Sequence, residues 1–425
     1  MKQIQPLIII LFLVSISQTA RSQNNTSPYS VIGIGDIERS YFDRTTGMAN
    51  TGVALFSNRY MYQSNPASYS NMDEHFFNME VATRFKAITY SGTPVNSTTE
   101  AQSSDIQFKK IALALKVKSR WAVSMGLMPF STSNYSFGAN KAIQGTTLTS
   151  PAYYEGSGNT TQFYITNSFL ISKHLSIGVQ TSYLFGQMLQ KETIFNSGGV
   201  NDSDLVTSRN LNMGNLYFKF GLQYHTTLSE KTSLFFGATA SPQTKLRADY
   251  SLQVQEGNSF LITNQYYKNN FFILPAMYSG GIAALLNNKY TLAVDYSYQG
   301  WRDLKYQGLS YELVNSNKIS AGFEYANKVK LRDGGFFERS FLQAGLYYDE
   351  SYLKINGKQL TSYGLTLGAG FTPLRGSASF GVQGGLDIGV RGTTNYGLIR
   401  ENYTQFNLTL IYRDLWIPNK LKKFD

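Results

Sequence analysis

Apolar and polar residues alternate with a period of two from about residue 76 onward, which is the pattern of β-strands. In one segment, Leu175, Ile177 and Val179 form an apolar row, while Ser176 and Gly178 belong to the opposite, small or polar row. Each apolar row is long enough to cross a hydrocarbon layer at a tilt, and the opposite row suits the wall of a lumen. The pattern therefore predicts the strands of a transmembrane β-barrel.

The number of strands follows from counting these segments. Fourteen are found, near 76–90, 105–118, 121–135, 161–172, 174–188, 211–227, 232–247, 271–286, 289–300, 309–326, 339–354, 359–372, 376–391 and 402–413. Residues 248–270 alternate in part, so twelve or sixteen strands are the alternatives. An even number closes an antiparallel sheet without an edge exposed to lipid. The predicted fold class is all-β, a closed antiparallel transmembrane β-barrel of about 14 strands.

Short and long connections alternate along the chain. The short ones lie near 118–120, 172–174, 228–231, 287–289 and 372–376, and the long ones at 91–104, 136–160, 189–210, 248–270 and 392–401. Outer-membrane barrels have short turns on the periplasmic side and long loops outside. Two links depart from this rule. The 327–338 link is long for its side, and Asn356-Gly357 predicts a tight type I′ hairpin on the other side.

The first residues are typical of an export signal. Lys2 is followed by an apolar run at 7–16 and by small residues at Ala20 and Ser22. The run is too short for a permanent membrane helix. Residues 1–22 are therefore interpreted as a signal peptide. Together with the barrel pattern, this places the protein in the outer membrane of a diderm bacterium.

The segment 23–75 lies between this signal and the barrel, which spans 76–425. It is rich in Gly, Asn and Ser, but it also carries apolar and aromatic residues. Fourteen strands enclose a lumen too wide to be filled by inward side chains alone. We therefore expect this segment to be a plug, or hatch, inside the lumen, with a flexible periplasmic tail as the alternative.

Composition agrees with a barrel. Hydrophobic residues make up 42% and charged residues 15%, with 30 Tyr, 28 Phe and no cysteine. A soluble exported all-β domain is the alternative to a membrane barrel. The formal net charge of +11 comes from Lys and Arg residues scattered singly among turns and loops. This distribution fits phosphate-rich lipid surfaces, and no nucleic-acid partner is expected.

The sequence offers no catalytic or metal chemistry. His75, His174 and His225 lack the spacing of metal ligands. A Ser-His-Asp site would need a histidine near the outer-loop residues Asp202 and Asp204, but His174 is predicted in a turn on the opposite side. We expect neither an enzyme nor a bound cofactor or metal.

The third predicted strand contains an anomaly. Pro129 cannot donate a ladder hydrogen bond, and Gly126 weakens pairing nearby. Because a closed barrel has no edge strand to accommodate a proline, the wall should bulge or kink here and leave a local gap. The alternative is a strand that ends before Pro129.

Three features occur in this order: a plug-length N-terminus with Asn65, Pro66 and Ala67, about fourteen strands, and a disrupted third strand. Together they resemble the FadL/OmpP1 family of outer-membrane transporters for long-chain fatty acids and other hydrophobic compounds. The resemblance extends over the chain after the signal. It is clearest at 33–37, 47–55, 65–70 and 363–374, while 391–403 and 415–425 indicate a divergent branch.

The resemblance implies a passive channel whose hatch moves to open a route through a gap in the wall. The implied site residues are a hatch motif and a kink with a lateral opening: Asn65, Pro66 and Ala67, then Gly126, Pro129, Phe130 and Tyr135. The implied partners are a hydrophobic small molecule and outer-membrane lipids. A monomer is expected, with protein partners left open. The outer loops lack the long apolar runs of a strong ligand groove.

A second role is compatible with the same fold. The shuttle barrel of the type IX secretion system resembles FadL while carrying proteins, so this chain could serve as a secretion or assembly partner. An apolar lumen pocket lined by hatch residues would favour transport. A large docking surface over a sealed lumen would favour the partner role.

Overall fold

The computed structural model describes residues 27–92, 101–142, 145, 147–195, 203–268, 270–304, 311–326, 340–372 and 379–416. Several sequence features lie outside these residues: the signal 1–22, the first plug residues 23–26, the 327–338 link and the end of the chain at 417–425. Among the described residues, no helix has the length and apolar character needed to cross a membrane.

The wall consists of antiparallel strands that pair with their neighbours in sequence order, some of them interrupted once or twice. Their bounds are β1 Phe76–Gly92, β2 Gln102–Lys118, β3 Trp121–Thr132 with Tyr135–Ala142, β4 Thr149–Leu170, β5 Leu175–Ile194, β6 Leu205–Ser229, β7 Thr232–Ser241 with Thr244–Glu256, β8 Ser259–Tyr267 with Phe271–Leu274 and Met277–Leu286, β9 Tyr290–Gln299, β10 Tyr311–Leu313 with Ser316–Ala326, β11 Ser340–Ile355, β12 Lys358–Phe371, β13 Ser379–Arg391 and β14 Ile399–Leu415.

The sheet closes because β14 pairs with β1 from Phe76↔Leu415 to Gly92↔Ile399. Within the described residues the ring contains fourteen strands, as predicted. The ambiguous stretch 248–270 adds no strand to the ring. It forms the outer ends of β7 and β8, which pair with each other.

The period-two pattern separates two faces of the wall. On β9, Leu292 and Val294 point outward and are about half exposed, whereas Thr291 and Asp295 face the lumen and are buried. The outward rows supply the apolar belt that lipid requires. The lumen side is small, polar or charged.

The prediction of long loops on the outer side is wrong in three places. Strands β3 to β8 continue through 136–160, 189–210 and 248–270, where they pair as hairpins. Apart from the partial alternation at 248–270, these extensions lack the apolar rows of the membrane strands, so the membrane-strand pattern did not reveal them. We call these extensions the outer sheet, comprising 135–142, 149–157, 187–194, 205–212, 247–256 and 259–267.

The predicted hairpin at Asn356-Gly357 is present. Both residues have positive φ, at 49° and 77°, as a type I′ turn requires. It connects β11 to β12 on the outer side.

Residues 27–75, which we call the lumen segment, run from the outer end of the barrel to the start of β1. They contain three short 3-10 turns, Pro28–Val31, Thr46–Met48 and Pro66–Asn71, and the two-residue strand Asp36–Ile37. Their backbone contacts inward side chains on opposite sides of the wall. For example, Ala49 N–H donates to Thr366 Oγ1 on β12 at 2.8 Å, and Ser70 N–H donates to Ser168 Oγ on β4 at 2.9 Å.

Candidate functional site: the lumen segment and the side gap

Asn65 caps the short helical turn that follows it. Its Oδ1 accepts from Ala67 N–H at 3.0 Å, and its Nδ2 donates to the carbonyls of Val53 at 2.8 Å and Leu222 at 3.0 Å. Pro66 occupies the first helical position, where its missing N–H costs nothing. Asn65 therefore joins the turn both to an earlier part of the lumen segment and to β6.

Glycines in the wall allow this turn to approach closely. A Cβ on Gly178 would lie 2.3 Å from the carbonyl carbon of Pro66, and one on Gly221 would lie 2.1 Å from Asn65 Oδ1. The sequence analysis did not identify this group of contacts. The feature of the sequence that marks these contacts is glycine at strand positions that face the lumen segment: Gly178, Gly221, Gly237, Gly281, Gly322, Gly345 and Gly385.

The pairing of β2 with β3 stops halfway up the wall. It runs from Lys118↔Trp121 to Ile111↔Leu127, and no further pair of these strands occurs among the described residues. Above that point, from Lys110 outward, β1 is the only strand that pairs with β2 within the part of the chain that the structure describes. The outer half of β2, 102–110, and the β3 residues 128–132 thus border an interruption in the ladder, which we call the side gap.

Pro129 lies within β3 rather than in a loop. It pairs with Thr161 of β4, and the register shifts between Pro129 and Ser131. Gly126 lies just before the ladder ends, and a Cβ there would meet Ile111 O at 2.5 Å and Tyr164 Oη at 2.8 Å. The two residues therefore flank the point where β3 separates from β2.

The lumen segment takes the place of β2 at the side gap. Asp36 and Ile37 pair with Thr132 and Ser131 of β3, and Glu38 N–H donates to the carbonyl of Phe130 at 2.9 Å. The backbone groups that β2 leaves unpaired on β3 thus find partners inside the barrel. The Asp36–Ile37 strand closes the side gap from within.

The two aromatic residues of the predicted opening occupy different places. Phe130 is buried on the lumen side and packs edge-to-face against Tyr217 of β6, with ring centroids 5.7 Å apart. Tyr135 begins the outer sheet and is buried against Phe137, at 6.0 Å between centroids, and over Gly156. Only Phe130 belongs to the gap itself.

The two predicted groups of residues are connected through Gln63, which the sequence analysis did not identify. Its Nε2 lies 3.2 Å from Met128 Sδ, next to Pro129, and its Oε1 accepts from Tyr164 Oη at 3.1 Å. Gln63 is two residues from Asn65. Gln63 therefore forms a direct chain of contacts between the turn at Asn65 and the kink in β3.

Ion pairs hold the Asp36–Ile37 strand to the wall. Both carboxylate oxygens of Asp36 accept from Arg391 at 2.7 Å, while Glu38 accepts from Arg84 Nη1 at 2.9 Å with Lys109 Nζ at 3.7 Å. Burial alone raises the pKa of Asp36, but the charge and hydrogen bonds of Arg391 outweigh burial and leave that pKa below its usual value. The pKa of Glu38 is lowered in the same way, by Arg84 and Lys109 against burial.

A cavity of about 920 Å³ opens at the outer end of the barrel. It lies between residues 28–34 of the lumen segment, the inner face of the outer sheet and the outer ends of β8, β10, β11 and β14. Most of its lining is apolar, including Ile32, Leu211 and Phe272. Arg209 is a cation in this lining, and its guanidinium lies 5.3 Å from the ring centroid of Tyr250.

Beneath this cavity the lumen changes from apolar to charged. Buried apolar residues form a collar at its base: Tyr29, Ile34, Phe130, Tyr217, Leu246 and Leu274. Further down, two chambers of about 210 and 110 Å³ border the lumen residues 37–40 and contain charged groups such as Lys86, Asp387 and Asp295. Among the described residues, no group of three or more His, Asp or Glu side chains could hold a metal ion.

This architecture defines a class of protein, the outer-membrane barrels with the FadL fold. Three solved structures share it, each with a TM-score of 0.57: a FadL homologue from Pseudomonas aeruginosa, the toluene transporter TbuX from Ralstonia pickettii and the toluene transporter TodX from P. putida. They are 14%, 14% and 15% identical to this chain, cover 88% of it in each case, and are themselves covered over 98%, 97% and 98% of their lengths. At these identities the likeness establishes the fold. TbuX and TodX are described as transporters and not as enzymes.

The chain belongs to the BamG family, whose model matches residues 1–425. Among curated proteins, none has a sequence that matches this chain. The FadL/OmpP1 resemblance is therefore correct for the fold, whereas the family carries a different name.

Proposed function

We propose that this barrel is a passive channel for hydrophobic small molecules, with the lumen segment as its hatch. The observation that carries the proposal is the side gap, where the β2–β3 ladder is interrupted and the Asp36–Ile37 strand takes the place of β2. A backbone partner that belongs to the lumen segment can leave without breaking the barrel. The apolar outer cavity borders the same segment and gives a ligand a place to bind first.

The outer cavity supports an elongated hydrophobic ligand. Each methylene that leaves water contributes about 0.8 kcal/mol, so a long acyl chain binds an apolar surface strongly. Arg209 in the cavity lining offers a cation to a carboxylate. Long-chain fatty acids and uncharged hydrocarbons, such as the toluene that TbuX and TodX carry, are the substrate classes we propose.

The charged chambers favour a sideways exit. A greasy molecule that moved straight down the lumen would cover polar and charged groups without pairing them, which is costly. Movement through the side gap instead leads past Phe130 into the hydrocarbon layer. In this proposal Asn65, Pro66 and Ala67 anchor the lower half of the hatch. Pro129 keeps β3 apart from β2 just above Gly126, where the two strands still pair.

The proposal is tested by filling the outer cavity. Leu211→Trp places a large ring in the cavity and is expected to lower uptake of a fluorescent fatty acid several-fold. Leu222→Trp, on the lipid-facing row of the same strand, is the matched control and should leave uptake unchanged. Both variants should keep the heat-modifiable folded band. Unchanged uptake in a folded Leu211→Trp variant would refute the channel function.

A second candidate function is supported by the outer sheet. Its last strand, Ser259–Tyr267, pairs with β7 on one side only among the described residues, and it exposes Phe260, Leu261 and Tyr266. It carries no charged residue or proline, the residues that usually protect an edge strand from pairing with another chain. A role as a partner in protein secretion or assembly would use this edge. The Leu211→Trp experiment separates the two functions, because docking at the edge does not depend on the cavity.

A further inference from the structure

Two short periplasmic turns, one between β2 and β3 and one between β4 and β5, lie side by side. Leu170 N–H at the end of β4 donates to the carbonyl of Arg120, just before β3, at 2.9 Å. The first turn carries Lys118 and Arg120, and the second carries Lys173. Three basic residues that are distant in sequence are thus gathered at one place on the periplasmic rim. We call them the basic patch.

The basic patch has no counter-charge nearby in the sequence or in the described structure. Lys118, Arg120 and Lys173 are all exposed, and among the described residues none of them forms an ion pair. The sequence contains no Asp or Glu at 106–154 or at 156–191, the stretches that include both turns. The patch is therefore suited to an anion that the chain itself does not supply.

A bulge places Lys118 on the lipid-facing side of the wall. Lys118 is paired with Trp121, and the register shifts between Lys116 and Lys118, so that Val117 is an extra residue in β2. Trp121 belongs to the outward row of β3, because its neighbour Ala122 is fully buried. Directly paired residues of an antiparallel ladder share one face of the sheet. The bulge thus turns a cation toward the lipid side.

An aromatic pair next to the basic patch marks the level of the lipid head groups. The rings of Trp121 and Phe169, on β3 and β4, are stacked with centroids 6.3 Å apart and planes 8° apart. Trp121 Nε1 donates to Oδ1 of Asn167, a polar residue in the outward row of β4, at 3.1 Å. Amphipathic rings on the lipid face are typical of the membrane–water interface. The basic patch therefore lies at the depth of phospholipid phosphates.

Apolar side chains continue from the aromatic pair toward the middle of the membrane. Two further outward pairs of β3 and β4 are apolar and exposed: Met125↔Ile165 and Leu127↔Phe163. Hydrocarbon chains of a lipid whose head lies at the basic patch can lie along these rows. Head-group charge and acyl-chain surface are thus both present on the same two strands.

We propose that the basic patch binds the phosphate head of an anionic phospholipid in the inner leaflet of the outer membrane, with the acyl chains along the outward rows of β3 and β4. Lys and Arg at a membrane surface attract anionic lipids. Because the patch has three cations and each phosphodiester carries one negative charge, cardiolipin, with two phosphates, fits it better than phosphatidylglycerol. The site lies outside the wall and does not depend on the proposed channel function.

The test compares two variants with the same loss of charge. Lys118→Gln/Lys173→Gln removes two cations of the basic patch, and Lys231→Gln/Lys289→Gln removes two lysines of the neighbouring periplasmic turns. Binding of tetraoleoyl cardiolipin, dioleoyl phosphatidylglycerol and dioleoyl phosphatidylcholine to the full chain is measured by native mass spectrometry. The first variant should lose roughly tenfold in cardiolipin affinity and less than about twofold in affinity for phosphatidylcholine, which has no net charge. The second variant should keep its cardiolipin affinity.

Three results would overturn the proposal. Equal losses in the two variants would mean that the whole rim attracts cardiolipin without a site. Equal affinity of the unchanged protein for cardiolipin and phosphatidylcholine would mean that the head-group charge is not recognised. A preference for phosphatidylglycerol over cardiolipin would contradict the match between three cations and two phosphates.

Tryptophan fluorescence gives a second measurement that leaves every cation in place. Of the three tryptophans, Trp301 is fully buried, and Trp416 at the end of β14 is replaced by Phe. In Trp416→Phe, cardiolipin with brominated acyl chains should quench the emission of Trp121 more than brominated phosphatidylcholine does at the same bromine content of the vesicles. Equal quenching by the two lipids would show that cardiolipin is not concentrated at the basic patch.

Discussion

Single residues attach the lumen segment to the wall mainly through side-chain hydrogen bonds to backbone groups. Asn65 is one example. Its side chain accepts a hydrogen bond inside its own turn and donates hydrogen bonds to the carbonyls of Val53 and Leu222. Asp295 of β9 acts similarly from the wall and accepts from Gly52 and Val53 N–H groups at 2.6 and 2.9 Å. Buried backbone groups require such partners. The segment is consequently attached to the wall at intervals along its length, from Ser27 to Asn71.

Asn65→Ala should release the lower half of the lumen segment. The change removes the cap and leaves the carbonyls of Val53 and Leu222 without this donor, which costs about 1–3 kcal/mol. We expect uptake of a hydrophobic tracer to fall while the heat-modifiable band persists, because no ladder bond of the barrel is lost. Asn71→Ala, which removes a single 3.2 Å bond to Ser176, is the control and should have a smaller effect. Equal uptake in Asn65→Ala and the unchanged protein would contradict the anchoring role.

At the scale of elements, the sequence predicted the strands that cross the membrane. It did not predict the strand extensions and contacts that lie outside the lipid-facing surface. The fourteen membrane strands each need an outward apolar row, so their number was readable. The outer ends of β3 to β8 need no such row and were taken for loops. The pairing of Asp36 with Arg391 joins residues 355 positions apart, and no local pattern encodes a contact of that range.

The third strand shows the limit of local reasoning in more detail. Pro129 indicated either a kink within the strand or an early end to it. The structure distinguishes these alternatives, since Pro129 pairs with Thr161 of β4 while the ladder to β2 has already stopped at Leu127. The partner that replaces β2 comes from the lumen segment, and its two residues Asp36 and Ile37 carry no strand signal of their own.

A disulfide between Ile37→Cys and Ser131→Cys should lock the Asp36–Ile37 strand onto β3. Because Glu38 N–H bonds to Phe130, the adjacent Ile37↔Ser131 pair is a non-hydrogen-bonded one, whose short Cα separation suits a disulfide. The chain has no native cysteine to interfere. We expect tracer uptake to be lost on oxidation and restored by a reducing agent.

The single variants Ile37→Cys and Ser131→Cys serve as controls and should respond to neither treatment. Full uptake by the oxidised double variant, with the cross-link verified by mass spectrometry, would show that this strand does not need to move.

For the whole molecule, the fold is that of one group of proteins and the matching family carries the name of another. The chain shares the fold of the toluene transporters TbuX and TodX, whereas the matching family is BamG. One fold commonly serves several functions, and the function depends on the sites built upon it. In this chain the cavity and the side gap favour a channel, and the edge of the outer sheet favours a partner role. Both features lie on one molecule and do not compete for the same residues.

The barrel and its lumen segment should be separable. Among the described residues, each of the fourteen strands pairs with a neighbour on both sides over part of its length, so the ring closes through its own backbone pairing. Deletion of residues 27–72, with residues 1–26 retained, should therefore still give a heat-modifiable barrel. The exposed lumen would be lined by charged residues such as Lys110, Asp295 and Glu324, which suit water and ions. We expect single-channel conductance in planar bilayers to rise from near zero to that of an open porin-like bore. A deletion variant that folds and inserts but does not conduct would show that the lumen is sealed by something other than this segment.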